Sequence, residues 1–232
     1  MPMGEPDTNA SKLRAAERAL EFVRSGQTVG LGTGSTSAFV LEGLGRLVRS
    51  GLNITGVATS TESERLARSV GIPVVELNDV ARIDLTIDGA DEIDEEFNMI
   101  KGGGGALARE KLVALASDLR VMVVDSSKLV PVLGVSRALP VEVLPFAWSL
   151  AARLLEKLGC TVALRERGSA PFVTDNSNYI LDCKFPGIPE AARLEKTIKQ
   201  VPGVVESGLF VGIADKVIVG SDTGTALRCR RE

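Results

Sequence analysis

The chain has 232 residues, a formal net charge of −3 and no histidine. Its 44% of hydrophobic and 25% of charged residues are typical of a globular protein with one large domain, or a large and a small one. Nucleic-acid-binding domains usually carry a basic stripe, so this charge balance argues against a nucleic-acid partner. The lack of histidine excludes Ser-His-Asp and Cys-His nucleophiles and removes the commonest metal ligand. Acid–base catalysis must therefore depend on Asp, Glu, Lys, Tyr or Cys.

The sequence lacks the signals that direct a protein to a membrane. No apolar run approaches the about 20 residues that a membrane-spanning helix needs. Residues 1–10 lack the basic segment followed by an apolar segment that marks a secretory signal. We therefore expect a cytoplasmic protein without a membrane partner. Cys160, Cys183 and Cys229 show neither metal-ligand nor C-x-x-C spacing, and we interpret them as reduced packing residues.

Helical and strand patterns alternate through the first half of the chain. Apolar residues at helical spacing predict a helix near the N-terminus and another after residue 35. Strands are predicted at 28–31, 54–58, 73–77, 83–87 and 121–124. Strands that alternate with helices typically form a parallel sheet covered by those helices. The sequence therefore predicts an α/β fold with a Rossmann-like, mainly parallel sheet.

The pattern changes after Lys128, where prolines separate short strands. Helices are predicted at about 149–158 and 189–200, on either side of an antiparallel meander. The predicted strands of this meander are 161–164, 172–174 and 179–183. Segments 209–213 and 217–219 are predicted to return to the first sheet. We therefore predict a smaller α+β domain at 131–205, inserted into a Rossmann-like domain formed by residues 1–130 and 206–232.

A glycine-rich turn follows the first predicted strand. Residues 29–36 read VGLGTGST, so that Ser35 and Thr36 begin a helix directly after the turn. Backbone N–H groups, two hydroxyls and the positive end of the helix dipole would all favour an anion there. The spacing differs from G-x-x-x-x-G-K-[ST] and from G-x-G-x-x-G, so neither ATP nor NAD is indicated. The alternative is an ordinary strand–helix turn with a Ser/Thr cap.

An acidic motif follows the strand predicted at 83–87, where residues 88–94 read DGADEID. Ligands of open α/β sheets bind at the carboxyl ends of strands, so Asp88 and Asp91 could hold sugar hydroxyls or assist the opening of a sugar ring. The alternative is a solvated acidic turn, since Asp-Gly is a common turn signal.

Lys101 precedes four consecutive glycines and a helix that carries Glu110. Such a loop suggests a close approach of the backbone to a ligand, or a hinge. The lysine could stabilise a developing oxyanion, and Glu110 could face the same pocket as a base. The alternative for Glu110 is a salt-bridged surface residue between Arg109 and Lys111.

Lys128 ends the segment VDSSK after the last predicted strand of the first half. Its ammonium could hold a phosphate, although an exposed turn lysine is the alternative. The pattern places these motifs at the ends of four strands of one parallel sheet, which would gather phosphate donors, paired carboxylates, a lysine and a glutamate. That set suits proton transfer on a small phosphorylated polyol, and it includes neither a metal cage nor an activated nucleophile.

The motifs together resemble type A ribose-5-phosphate isomerases. In order, GLGTGST, DGADEID, KGGGGAL, REK, VDSSK, LPVEV and VTDN extend the resemblance from about Lys12 to Val219. A lone GTGST would be weak, since sugar-phosphate deaminases, lactonases and coenzyme A transferases carry similar loops. The deaminases and lactonases use an active-site histidine that this chain lacks, and a non-catalytic sugar-phosphate sensor would normally carry a DNA-binding module.

The resemblance implies a role for each matching residue. The catalytic base would be Glu110, with Asp88, Asp91 and Lys101 as the other catalytic residues. The residues implied in substrate binding are Lys12, Thr33, Gly34, Ser35, Thr36, Asp88, Gly89, Ala90, Asp91, Lys101, Gly102, Gly103, Gly104 and Lys128. The family needs no metal or other cofactor, binds a sugar phosphate, and forms homodimers or homotetramers. The segment ESGLF at 206–210 departs from the family pattern, but this departure affects no assigned role.

Overall fold

The computed structural model describes residues 8–230. Residues 1–7, part of the stretch searched for a secretory signal, and residues 231–232 lie outside the described residues. The helices are α1 (Thr8–Leu20), α2 (Ser35–Arg49), α3 (Thr61–Ser69), α4 (Leu107–Leu115), α5 (Trp148–Glu156) and α6 (Ala191–Lys199). The strands are β1 (Thr28–Leu31), β2 (Thr55–Ala58), β3 (Ile83–Asp88), β4 (Glu92–Ile93), β5 (Met99–Ile100), β6 (Ser117–Asp125), β7 (Leu139–Val143), β8 (Thr161–Leu164), β9 (Glu166–Arg167), β10 (Ala170–Pro171), β11 (Tyr179–Lys184), β12 (Val204–Ser207), β13 (Leu209–Phe210), β14 (Lys216–Ser221) and β15 (Gly224–Cys229). No helix of the described residues is long and apolar enough to cross a membrane.

The largest sheet has six strands in the order β15-β14-β6-β3-β1-β2. All neighbours are parallel except β14 and β15. This confirms the predicted α/β fold with a mainly parallel sheet. The strand predicted at 73–77 is wrong: Val74 makes a single bridge to Gly56, and the chain then enters a 3-10 turn at Leu77–Asp79.

The described residues form two compact units. The first contains residues 8–89, Leu112–Lys128 and 214–230, and the second contains Ala90–Lys111 and Leu129–Ile213. Residues 90–111 and 206–213 thus belong to the second unit, although the predicted domains place them in the first. Compactness alone does not tell which segments fold together, so the domain boundaries stay a prediction.

The second unit has its own core under an antiparallel sheet of order β12-β7-β11-β8. A separate small sheet joins β13, β5 and β4, so the prediction that 209–213 returns to the first sheet is wrong. The strand predicted at 172–174 is also wrong. Only Val173 bridges to Tyr179, because the chain folds into a tight turn in which Thr174 and Asn178 are hydrogen-bonded.

A cluster of charged side chains joins three elements of the second unit. The buried Lys111 of α4 donates to Glu195 of α6 at 2.8 Å and to Glu206 of β12 at 2.9 Å. Burial acts to raise the pKa of Glu206, but Lys111, the Ser207 N–H and Lys199 outweigh it, so the pKa of Glu206 is lowered. A carboxylate with a lowered pKa in the folded state stabilises the fold above its unfolded pKa of about 4.3, and this contribution is lost as the pH falls through the folded pKa.

Glu206→Gln should therefore destabilise the protein at neutral pH by about 1.5–3 kcal/mol, the usual size of a hydrogen bond to a charged group. The difference from wild type should shrink at an acidic pH below the lowered folded-state pKa of Glu206, where the wild-type carboxylate is protonated as well. Chemical denaturation at both pH values measures it. Glu190→Gln, which removes an exposed carboxylate paired with Arg193, is the matched control and should behave as wild type. A difference that is the same at both pH values would contradict the prediction.

Candidate active site

The glycine-rich turn lies at the carboxyl end of β1, in the first unit. Gly34 is the N-cap of α2 with φ 104°, a left-handed conformation that glycine adopts without strain. No side chain caps this helix, so the alternative of a Ser/Thr cap is wrong. Lys12 of α1 donates to the Ser35 hydroxyl at 3.0 Å. The turn thus presents uncapped N–H groups and a hydroxyl beside an ammonium, a combination that suits an anion.

Thr33 is held inside the turn rather than displayed on it. Its hydroxyl lies 2.7 Å from that of Thr59, 2.8 Å from that of Ser60 and 3.0 Å from that of Ser63. Ser63 in turn donates to the Gly32 carbonyl at 2.7 Å. This hydroxyl cluster connects the turn after β1 with the segment after β2.

Asp88 organises the same turn from the end of β3. Its Oδ1 accepts from the Thr33 N–H at 3.1 Å, the Gly89 N–H at 2.7 Å and the Ser37 hydroxyl at 3.3 Å. A Cβ at Gly32 would lie 2.2 Å from this oxygen, so only glycine fits there. With 1% of Asp88 exposed, the alternative of a solvated acidic turn is wrong for this residue.

Lys128 lies in the same unit, in a 3-10 turn at Ser126–Lys128 that follows β6. Because β1, β3 and β6 are parallel, the glycine-rich turn, Asp88 and this 3-10 turn all follow strand ends at one edge of the sheet. Within the described residues, Lys128 makes no hydrogen bond to residues 33–36. Its placement at this edge agrees with the predicted convergence.

Lys101 and Glu110 form a buried ion pair in the second unit. Lys101 Nζ lies 3.2 Å from Glu110 Oε1, and their side chains are 3% and 5% exposed. Glu110 is the fourth residue of α4, in its first turn. The alternative of a surface residue is therefore wrong, and its sequence neighbours pair elsewhere. Arg109 binds Asp175 and Asn176, and Lys111 binds the cluster described above.

The segment 206–210 holds Lys101 in place. The Lys101 N–H donates to the Gly208 carbonyl at 2.9 Å, and its ammonium lies 5.5 Å from the centroid of the buried Phe210 ring. The Lys111 ammonium lies 5.0 Å from the same ring. The segment includes no residue with an assigned role, but it contacts one that has such a role. The sequence offered no signal, because a cation over an aromatic ring requires neighbours that are distant along the chain.

The glycine loop after Lys101 follows β5 in the second unit, so it does not end a strand of the parallel sheet as predicted. Gly102 and Gly105 have φ of 99° and 85°, and a Cβ on Gly105 would lie 2.4 Å from the Phe172 ring. Packing and backbone conformation thus explain both glycines. The Gly103 N–H donates to Asp91 Oδ2 at 2.7 Å, so the loop and the acidic motif meet.

Two motifs of the resemblance with no assigned chemistry meet each other. Glu142 of β7 is fully buried, and its Oε1 accepts from Thr174 at 2.9 Å, Asn178 at 2.8 Å and Asn176 at 3.2 Å. Asn176 also accepts from Arg109 Nε at 2.8 Å. Glu142 of the LPVEV strand thus holds the turn in which VTDN lies, and this turn also contacts the helix that carries Glu110.

The predicted residues fall into two connected sets. In the first unit, hydrogen bonds link Lys12 to Ser35 and Thr33 to Asp88 and through it to Gly89. In the second unit, they link Asp91 to Gly103 and Lys101 to Glu110. No cluster of three or more His, Cys, Asp or Glu side chains that could hold a metal occurs among residues 8–230.

Comparisons with known proteins agree on one family. The family profile described as ribose 5-phosphate isomerase A (phosphoriboisomerase A) matches residues 55–224. The ribose-5-phosphate isomerase A of Parvibaculum lavamentivorans is 48% identical over 92% of this chain and 95% of its own length. The ribose-5-phosphate isomerase A of Gloeobacter violaceus is 51% identical over 94% of this chain and 95% of its own length. A solved D-ribose-5-phosphate isomerase in complex with phospho-erythronic acid superposes with a TM-score of 0.94 at 38% identity, covering 97% of this chain and all of that one. This chain therefore belongs to the ribose 5-phosphate isomerase A family.

Proposed function

We propose that this chain interconverts ribose 5-phosphate and ribulose 5-phosphate by moving one proton with Glu110. Isomerisation of ribose 5-phosphate is the activity of the family to which the chain belongs. The observation that carries the residue assignment is the buried Lys101–Glu110 pair, in a chain without histidine. A carboxylate and an ammonium in a site of low polarity are suited to proton abstraction and to oxyanion stabilisation.

The substrate phosphate is assigned to the turn after β1. Gly34, Ser35 and Thr36 supply N–H groups and hydroxyls, and Lys12 and Lys128 supply positive charge. The uncapped start of α2 and the Lys12–Ser35 contact support this assignment. The solved relative in complex with phospho-erythronic acid supports a phosphorylated sugar as the ligand class.

Opening of the sugar ring is assigned to Asp91 in preference to Asp88. Asp88 Oδ1 already accepts three hydrogen bonds that shape the turn around Thr33. Asp91 is only half-buried, and one of its oxygens accepts from the Gly103 N–H. We assign contacts with the sugar to Asp91 and to the backbone of Gly89 and Ala90, and the ordering of Thr33 to Asp88.

The isomerisation itself is a proton transfer through an enediolate. Glu110 removes the proton from C2 of the open-chain aldose, and the electron pair of that C–H bond forms the C1–C2 double bond. The carbonyl oxygen becomes an oxyanion beside Lys101 and the N–H groups of the glycine loop. Glu110 then returns its proton to C1 while the proton of the O2 hydroxyl passes to O1, directly or through a neighbouring acid or water, so that C2 becomes the carbonyl and the ketose is formed.

The reaction is redox-neutral, and Lys101 with the N–H groups of the loop supplies the positive charge that the oxyanion needs, so we propose that the enzyme works without a cofactor or a metal ion. We also propose a cytoplasmic homodimer or homotetramer that serves the non-oxidative pentose phosphate pathway. The Ribose-5-phosphate isomerase A relatives, at 48% and 51% identity, favour this reaction over that of a deaminase, a lactonase or a sensor.

Glu110→Gln should lower kcat by at least about 10² to 10⁴-fold, the usual contribution of a general base, with little change in KM. Gln keeps an oxygen that can accept from Lys101. In deuterated water, ribose 5-phosphate recovered from the wild type should carry deuterium at C2, and the variant should lose exchange and isomerisation together. A folded variant that still exchanges at the wild-type rate would show that Glu110 is not the base.

Lys101→Met should destabilise the protein by about 3–5 kcal/mol, because it leaves the buried Glu110 without its cation. The double variant Lys101→Met/Glu110→Leu should recover most of this loss, since two apolar side chains can replace a buried ion pair. Denaturant titration measures both. Both variants should be inactive, so the double variant should regain stability without regaining activity. If Lys101→Met is as stable as wild type, Lys101 and Glu110 do not form a buried ion pair in solution.

Lys12→Met and Lys128→Met should each raise KM for ribose 5-phosphate by about 10- to 100-fold, which corresponds to the loss of one charge-assisted contact of about 1.5–3 kcal/mol. The fall in kcat should be smaller, because the phosphate does not react. Inorganic phosphate should compete with substrate in the wild type. Lys216→Met removes a lysine at the opposite end of the sheet, where β14 begins, and should leave KM unchanged. Equal KM in Lys128→Met and wild type would remove Lys128 from the site.

A further inference from the structure

Arg165 contacts the glycine loop, and none of the assigned roles uses it. We propose that Arg165 is a positioning residue for this loop. It orients two successive peptide groups, so that the N–H groups of Gly103 and Gly104 point away from Arg165 and toward the side on which Asp91 lies. This inference rests on the proposed function, in which the loop supplies N–H groups to the reacting carbonyl.

The guanidinium of Arg165 is divided between a carboxylate and the loop. Its Nε and Nη2 donate to the two oxygens of Asp182 at 2.9 and 2.5 Å. Its Nη1 donates to the Gly102 carbonyl at 2.9 Å and to the Gly103 carbonyl at 3.0 Å. The bidentate pair with Asp182 fixes the plane of the guanidinium, so the direction of the Nη1 donors is fixed too.

The first oriented peptide group joins Gly102 and Gly103. In a trans peptide the C=O and the following N–H point in opposite directions, and the described residues contain no cis peptide bond. The Gly102 carbonyl accepts from Arg165, and the Gly103 N–H donates to Asp91 Oδ2. Arg165 and Asp91 thus hold the two ends of one peptide group from opposite sides.

The second oriented peptide group joins Gly103 and Gly104. Because the Gly103 carbonyl also faces Arg165, the Gly104 N–H must leave the loop on the other side. Both glycines are exposed, and the Gly104 N–H makes no hydrogen bond to any other described residue. The loop therefore presents a fixed, unoccupied donor on the side of the Asp91 carboxylate, as a donor for a developing oxyanion requires.

Other hydrogen bonds define only part of the loop. The Gly105 N–H donates to the Gly102 carbonyl at 2.9 Å and Asp91 accepts from the Gly103 N–H, whereas the peptide group between Gly103 and Gly104 has, among the described residues, its one hydrogen bond to Arg165. Four consecutive glycines have more backbone freedom than any other sequence, and an N–H that samples many directions stabilises an oxyanion weakly. Gly102 and Gly105 are fixed by packing on Leu107 and Phe172, but Gly103 and Gly104 have no side chains of their own to pack. Arg165 supplies the missing contacts. The charge of Arg165 is balanced by Asp182. Arg165 therefore acts by orienting the peptide groups of the loop and not by its electrostatic potential.

A matched control lies two residues along the chain. Arg167 is exposed, and its guanidinium lies 4.9 Å from the same Phe172 ring that Arg165 approaches at 5.8 Å. Unlike that of Arg165, the guanidinium of Arg167 donates no hydrogen bond to another described residue. Arg167→Met therefore removes an equal charge and a contact with the same ring, without touching the glycine loop.

The experiment compares wild type, Arg165→Met, Arg165→Lys and Arg167→Met by steady-state kinetics and by inhibition with two probes. Inorganic phosphate tests the phosphate turn alone. Phospho-erythronic acid adds a carboxylate, which mimics the oxyanion that the loop should bind. Arg165→Lys keeps the positive charge beside Asp182 but cannot donate to Asp182 and both carbonyls in one plane, so it serves if Arg165→Met fails to fold.

For both Arg165 variants we expect kcat to fall by about 10- to 100-fold, the range for a misaligned or lost oxyanion donor. Inhibition by phospho-erythronic acid should weaken by a similar factor, while KM and inhibition by inorganic phosphate stay within about 3-fold. Arg167→Met should match wild type. A kcat of Arg165→Lys within about 3-fold of wild type would overturn the proposal, as would an equal loss of affinity for both probes, which indicates a general structural defect. A wild-type chain that does not isomerise ribose 5-phosphate would overturn the proposed function itself, and this inference with it.

Discussion

The buried ion pair between Lys101 and Glu110 is the interaction on which the proposed chemistry of the second unit depends. Removing two charges from water is unfavourable, and the pair persists only where the surrounding structure fixes both groups. The first turn of α4 places Glu110, while the pairing of β5 with β13 and the Phe210 ring place Lys101. A short strand, a single aromatic residue and a helix start therefore determine the geometry of the proposed base and its cation.

Asp88 has a comparable place in the first unit, although its role is different. Its carboxylate accepts hydrogen bonds from Thr33, Ser37 and Gly89, and it packs against Gly32. One of the two aspartates predicted to act on the sugar is thus occupied by hydrogen bonds that shape the turn. In both units, a carboxylate organises N–H groups from glycine-containing turns, because glycine alone leaves room for so close an approach.

Much of the candidate site could be predicted from local patterns, since turns, helix starts and strand ends depend mainly on residues that are close together in the sequence. The residues that escaped prediction act over long sequence separations. Arg165 binds carbonyls more than 60 positions earlier in the chain. The Phe210 ring lies beside the ammonium of Lys101, which directly follows β5. Neither Arg165 nor Phe210 belongs to a recognised functional motif. No periodic pattern in the sequence predicts that an arginine binds backbone oxygens. Segment 209–213 was placed on the wrong sheet for the same reason, because strand pairing depends on partners rather than on the strand itself.

The sequence by itself determined the fold class, the family and the chemical types present at the site. The order of strands and helices, the glycine turns and the lack of histidine are all local or compositional properties, and they restrict the chemistry to carboxylates and lysines. Only the tertiary structure decided which of these groups are buried, which are paired and which are occupied. Burial and pairing turned Glu110 from an ordinary helical glutamate into a desolvated partner of Lys101, and Asp88 from an acidic turn into a scaffold. Both outcomes depend on contacts between residues that the chain brings together only on folding.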